Sequence, residues 1–326
     1  MATTSDATRI AVVFESTAGT TPTSPCEWEI LRLTSESITR TANAVESGEL
    51  NDARGVTEMI QAGASVGGDL NNYIVYCETD IQLVLAVLGV AVTWPSPTSQ
   101  AVTGPGTALS TFTLEKTFQN VSGLQSYQRY KGLSISRLEM NYSPNEPLTW
   151  SYGCLGGDLV LAEDSSVSGD AQVTGSTYDG PDPDIDTADP MRSDQVTLTW
   201  GLASLNTSDH TALSITIDSQ NREIDRIGSF DADIALGKLM VQITATAIFG
   251  NNAPATSWLA GTDTTLTVTM QDTPGNIYTL NFPRVTIDQA TVVTPGANTD
   301  IVYELQCSAL INIGGNQLNF TAAVAT

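Results

Sequence analysis

The chain has a single histidine, His210, in the segment Asn206-Thr207-Ser208-Asp209-His210. Most serine, cysteine and metal-assisted hydrolases need an imidazole as base or ligand. One loop histidine with no obvious companions reads as solvated. A formal Gly-x-Ser-x-Gly occurs at Gly63-Ala64-Ser65-Val66-Gly67. In a hydrolase this turn joins a strand to a helix and lifts the serine as nucleophile. Here a strand is predicted to follow, so the motif reads as a glycine-rich approach to that strand. Asp182, Asp184 and Asp186 alternate as in a calcium loop, which next needs glycine at position six and an acid at position twelve. Those places hold Thr187 and Ser193, and Pro181, Pro183 and Pro190 stiffen the run. Opportunistic divalent-cation binding is the most it offers. Gly237-Lys238 lacks the leading glycine of a P-loop, and Gly104-Pro105-Gly106 reads as a turn. Carboxylate pairs of the glycosidase kind have no specificity among 36 acids. The expectation is no catalytic, cofactor or metal site, and no enzyme.

Composition narrows the partners. The 326 residues carry 36 acids against 13 bases, a formal charge of −23. The only lysines are Lys116, Lys131 and Lys238. A protein that grips DNA neutralises phosphates with Lys and Arg, and anionic membranes select for the same residues. Yet 41 % of residues are hydrophobic, enough to bury a core. No apolar stretch opens the sequence, so no signal peptide is expected. The longest apolar run, Ile81 to Val92, falls short of the ~20 residues of a membrane span, so no membrane insertion is expected. Cys26, Cys77, Cys154 and Cys307 are far apart and read as reduced, buried thiols.

The elements that must position these residues are mostly strands. Residues 1–30 read as an extended arm, with Ile10 to Phe14 as a short strand and Pro22 and Pro25 beyond it. Period-two alternation marks strands at 31–38, Leu70 to Tyr76, Ser110 to Phe118, around Leu133 to Leu138 and at Leu148 to Leu155. Ile81, Val84, Leu85 and Leu88 fall at helical spacing, with Asp80 as the predicted cap and Gly89 as the stop. Residues 158–195 read as an acidic Gly/Ser/Asp/Pro linker or surface excursion, with nine acids and only Arg192 between Glu163 and Asp194.

The second half repeats the order of the first. Ala212 to Ile217 answers 31–38, and Arg222 and Arg226 answer Arg40 and Arg54. Lys238 to Thr246 answers Asp69 to Cys77, and Asn251 to Gly261 sits where the first helix sits. Thr264 to Asp272 answers Ser110 to Phe118, and Ile277 to Asp288 answers Gly132 to Met140. Trp150 precedes Cys154 by four residues, as Tyr303 precedes Cys307. The order predicts a duplication, with β domains at 31–157 and 196–326.

Several stretches carry a family resemblance. They are Phe14 to Pro22, Leu31 to Ser37, Gly63 to Leu70, Ser110 to Lys116, Tyr130 to Ser136 and Trp150 to Gly157. Together they resemble the major tail tube proteins of long-tailed, siphovirus-like bacteriophages, clearly over 14–157 and more vaguely over 196–311. The resemblance implies a mostly β chain of two tandem phage-tail-tube-like β-sandwich or half-barrel domains, each with a short flanking helix. It implies a structural virion protein without catalytic residues. Such proteins close into rings of six domains that stack into a hollow tube. The tube surrounds the tape-measure protein, meets tail-terminator and tip proteins, and conducts double-stranded DNA without specific binding. Assembly in the host cytoplasm and residence in the virion tail follow.

With two domains per chain, three chains complete a ring; six are needed if the second half is an outer decoration. By the same analogy the polar stretch Thr39 to Ala62 contacts the next ring through Arg40, Glu46, Glu49, Asp52, Arg54 and Glu58. The arm Ala2 to Pro25 is a second candidate for packing on a neighbour. Glu36, Asp69 and Glu139, in or beside strands, are the candidates for an acidic lumen. The alternatives are a decoration module of tandem immunoglobulin-like β domains and, further off, an acidic β-rich hydrolase.

Overall fold

A computed structural model describes residues 8–22, 28–49, 55–92, 99–121, 124–163, 189–206, 209–227, 233–294 and 296–325. The chain is mostly β. In the first half the strands are β1 (Thr8–Phe14), β2 (Glu29–Ile30), β3 (Leu33–Glu36), β4 (Thr39–Glu46), β5 (Met59–Tyr73), β6 (Gln100–Gly104), β7 (Phe112–Val121), β8 (Leu124–Tyr142), β9 (Thr149–Leu155) and β10 (Asp158–Glu163). Helix α1 (Glu78–Val87) follows β5. In the second half come β11 (Val196–Trp200), β12 (His210–Asp218), β13 (Arg222–Ile224), β14 (Asp233–Ala235) and β15 (Met240–Ile248). After the helix Ala253–Ala260 the chain closes with β16 (Thr264–Gln271), β17 (Ile277–Val293), β18 (Val302–Ala309) and β19 (Leu318–Ala323).

The pairing pattern of the first half recurs in the second. The ladders β4–β5, β5–β9, β8–β9, β7–β8, β1–β7 and β10–β8 are matched by β12–β15, β15–β18, β17–β18, β16–β17, β11–β16 and β19–β17. Even the irregularities correspond. Ile135 faces Cys154 and Ile287 faces Cys307; each strand then carries one extra residue, Ser136 or Asp288, before pairing resumes. The slip between Phe112 and Leu114 recurs between Thr264 and Leu266. A bulge inserts a residue and bends the strand, so a shared bulge records a shared curvature.

The two halves are fused into one sheet and one core. β12 pairs antiparallel with β8, and β19 pairs with β6. Tyr278, from the second half, is buried in the first. Its ring stacks on Tyr76 and Trp150, with centroids 4.9 and 5.5 Å away. Its hydroxyl accepts from the Cys77 N–H at 3.1 Å and lies 3.2 Å from the carbonyls of Val75 and Cys77. Removing that hydroxyl strands buried backbone groups, whose desolvation is worth about 1–3 kcal/mol. Tyr278→Phe is therefore expected to lower the unfolding free energy by about that amount in urea titration, with both halves still melting together.

Three expectations change. Thr8–Phe14 is no free arm: β1 pairs with β7 along its whole length and buries Ala11 to Phe14. Glu15 then fastens the following turn. Its carboxylate accepts from the Gly19 and Gly132 N–H groups and from the hydroxyls of Thr111 and Thr113, at 2.6–2.9 Å. Residues 1–7 and 23–27 of the predicted arm lie outside the described residues. The predicted linker starts too early, because β10 still pairs with β8; residues 164–188 of it lie outside the described residues. Helix α1 starts before Asp80. Cys77, in extended conformation, is its N-cap and its sulfur accepts from the Asp80 N–H. The Asp80 carboxylate is turned inward instead, where Asn72 donates at 3.0 Å and Tyr152 at 3.3 Å. Burial pushes its pKa up from 3.8 to about 7. The stop at Gly89 is as expected: it is left-handed at φ +69° and packs so tightly on Gly106 that a Cβ on Gly106 would lie 2.1 Å from its carbonyl oxygen.

Candidate assembly site

Eight strand positions lie side by side in one sheet. They are the β3/β4 line, β5, β9, β8, β12, β15, β18 and β17. Strand side chains alternate between faces. Leu70, Tyr152, Leu138, Ile215, Ile243 and Leu305 turn to the core and are buried. The opposite face is polar. Its charged groups on these strands are Asp69, Arg137, Glu139, Asp218, Arg284, Asp288 and Glu304, five carboxylates against two guanidinium groups, of which Arg284 pairs with Asp263 at 2.6 Å.

Arg137 serves two of these acids. Its Nη2 lies 3.4 Å from Asp69 and 3.9 Å from Glu139. Gly153 of β9 sits between Asp69 and Arg137 in the ladders. A Cβ there would come within 3.2 Å of the Arg137 Cβ, so the missing side chain opens the lane for the ion pair.

Of the three residues proposed for an acidic lumen, the structure brings Asp69 and Glu139 together and separates Glu36. That expectation is corrected for Glu36. It shares a face with Ile38, which is fully buried. Its carboxylate pairs with the buried Lys116 ammonium at 2.5 Å and accepts the Ile38 N–H at 3.0 Å. Asp218, Asp288 and Glu304 were missed, although Leu213/Ile215/Ile217 against Ser214/Thr216/Asp218 and Tyr303/Leu305/Cys307 against Glu304/Gln306/Ser308 show the alternation that finds two of them.

Within the polar stretch Thr39 to Ala62 the described residues form a two-stranded ribbon. β4 and β5 pair from Thr39↔Gly67 to Glu46↔Met59, and the Ser47 N–H donates to the Glu58 carbonyl. Every side chain from Thr41 to Glu46 and from Met59 to Ala62 is exposed. Val45 and Ile60, directly opposite each other, are each half exposed at 50 %. Arg40 sits at the root, half-buried and 4.0 Å from Asp158. Glu46, Glu49 and Glu58 are exposed at the far end; Asp52 and Arg54 lie outside the described residues. β13 and β14 pair as a shorter two-stranded ribbon at the corresponding place in the second half.

The residues with catalytic potential take other roles. His210 begins β12 rather than lying in a solvated loop; its ring stacks on Trp200, whose Nε1 donates to its Nε2 at 3.1 Å. Gly63 to Gly67 lies inside β5, with no strand-to-helix turn. Cys77, Cys154 and Cys307 are buried free thiols, and burial pushes each of their pKa values up. Cys26 and the run Asp182, Asp184, Asp186 lie outside the described residues. Among the described residues no three His, Cys, Asp or Glu side chains cluster as a metal site. Among them too, no helix is long and apolar enough to cross a membrane.

The geometry is that of a mostly β chain with a polar sheet face and an exposed two-stranded ribbon. More particularly, a family model described as phage tail tube protein matches residues 5–322, and the chain belongs to that family. No curated protein matches it. The family is structural rather than enzymatic, and its place is the virion tail.

Proposed function

We propose that the chain forms rings that stack into the hollow tube of a phage tail, through which double-stranded DNA leaves. The observation that carries this is the β4–β5 ribbon, which bares an apolar Val45–Ile60 pair beyond the body of its own sheet. An exposed two-stranded ribbon is marginal alone and gains by ordering against a partner. In this reading it reaches the next ring, with Glu46, Glu49 and Glu58 at the contact and Asp52 and Arg54 beside them in sequence. Each chain supplies two tube domains, 31–157 and 196–326, so three chains make a ring of six. The polar face forms the lumen. Asp69, Glu139, Asp218, Asp288 and Glu304 give it a negative potential that keeps phosphate from adhering. Assembly takes place in the host cytoplasm around the tape-measure protein, with terminator and tip proteins closing the ends.

The ribbon gives the test. Val45→Glu with Ile60→Glu is expected to leave the melting temperature nearly unchanged, since both positions face solvent. Electron microscopy should then show rings and almost no tubes. Tubes of wild-type length would overturn the role of the ribbon. Native mass spectrometry of the rings gives the stoichiometry; six chains per ring would reject the trimer.

A further inference from the structure

We infer that the strand Glu36–Thr41 of one chain adds to the free edge of β17 in a second copy, in the register that β12 already uses on β8. The inference rests on the ring reading and names the contact between neighbours.

Start with the junction inside the chain. Ile215 faces Met140, Thr216 faces Glu139 and Ile217 faces Leu138. All four aliphatic residues of this set are buried. Now carry each partner to its counterpart in the other half. Cys154 and Cys307 align β9 with β18, and so align Gly68 with Ile243 across the ladders. The β4–β5 and β12–β15 registers then place Ile38 with Ile215, Thr39 with Thr216 and Arg40 with Ile217. The shared bulge places Leu138, Glu139 and Met140 with Ala290, Thr291 and Val292. The contact between copies is therefore Ile38↔Val292, Thr39↔Thr291 and Arg40↔Ala290.

Neither edge is taken by another strand among the described residues. Among the described residues, β3 and β4 pair only with β5, and Thr286 to Val293 pair only with β18. The Ser37 N–H donates inward to the Asp69 carbonyl, so the N–H and C=O groups of Ile38 point outward, as alternate residues of an antiparallel strand do. Val292 is 41 % exposed where its counterpart Met140 is 0 %.

A second observation singles out this edge. The outward backbone groups of Ile38 are already held by side chains of its own half. Its N–H goes to the Glu36 carboxylate, and its carbonyl accepts the Lys116 ammonium at 2.7 Å. The counterparts of Glu36 and Lys116 are Leu213 and Val268, and β12 carries no such clamp. Proteins blunt exposed strand edges with inward charges, lysine above all. The clamp thus covers the edge that waits for another chain and is missing from the edge that never does. On docking, the Val292 backbone takes over both Ile38 groups.

Thr39 and Thr291 are both exposed and would form a non-hydrogen-bonded pair, with Cα atoms about 4.5 Å apart. That separation lies within disulfide reach. The variant Thr39→Cys/Thr291→Cys is made in a Cys26→Ser background. Oxidised rings are expected to become covalently closed, with more than half of the chains linked head to tail on non-reducing gels. Each single variant alone should give no such ladder, while a mixture of the two single variants should give dimers. Thr39→Cys/Gln289→Cys, slipped by two residues, should link at least tenfold less. Rings without the Thr39–Thr291 link, or with the slipped link dominant, overturn the register and leave the tube reading standing. Chains that link at Thr39–Thr291 but never close uphold the pairing and sink the ring. Chains that neither link nor assemble overturn both.

Discussion

Asp80→Asn is expected to stabilise the chain at pH 8 and to flatten its stability profile between pH 4 and 7. The carboxyl lies in the first turn of α1, completely buried, and its pKa is raised from 3.8 to about 7. A carboxyl with a raised folded-state pKa holds its proton more tightly folded than unfolded. Its favourable share is complete below about pH 4 and is lost as pH rises through about 7. The span corresponds to roughly 4 kcal/mol at most, at 1.36 kcal/mol per pKa unit. The amide substitution keeps the shape and removes the ionisation. Its amide oxygen keeps an acceptor for the Asn72 Nδ2 and the Tyr152 hydroxyl, which both donate to the Asp80 Oδ1. Urea unfolding from pH 4 to 9 checks this. A wild-type and a variant profile of equal slope would mean that Asp80 ionises freely in the fold.

The second large effect concerns the polar sheet face. Glu139→Lys with Glu304→Lys turns five acids and two bases into three acids and four bases. Glu304 is exposed and Glu139 partly so, so the fold and the rings should survive. The tube should not remain indifferent to DNA. Binding that depends on neutralised phosphates weakens linearly in log salt, with a slope near −0.9 per contact on duplex DNA. Variant tubes are expected to retain duplex DNA at 50 mM salt, release it steeply towards 200 mM, and lower infectivity by more than tenfold. Glu139→Gln with Glu304→Gln should show only a fraction of this. Variant tubes that ignore DNA at low salt would place this face outside the lumen.

The β class and most strands were legible in the sequence because their alternation has a core to face. Phe112 and Leu114 against Thr111, Thr113 and Glu115 is such a run. The β4–β5 ribbon was not legible, because it has no buried side: Val45 and Ile60 face solvent, and in/out alternation has nothing to report. Asp80 looked like a cap because an acid before an apolar run usually is one. What drew its carboxylate inward were Asn72 and Tyr152, from β5 and β9. Glu15 stood inside a recognisable motif, but its partners Thr111, Thr113 and Gly132 are about a hundred residues away. Glu36 was misplaced despite a readable signal. It is two residues from Ile38, and period two puts both on the core face. The repeat was visible as element order; its shared bulges needed the ladders.

The fusion of the two halves through β12 and β8 has a consequence for counting. In the ring proposed above, separate sheet units would need six bodies to meet, each surrendering translational and rotational freedom worth about 4–15 kcal/mol at standard state. Fused pairs need three. Fusion also imposes a parity rule: a closed ring of such chains holds an even number of units. Rings of five or seven, the nearest errors for a curved wall of fixed bulge geometry, become arithmetically unreachable. Under that proposal, a single covalent linkage acts as a proofreading step performed before any two chains collide.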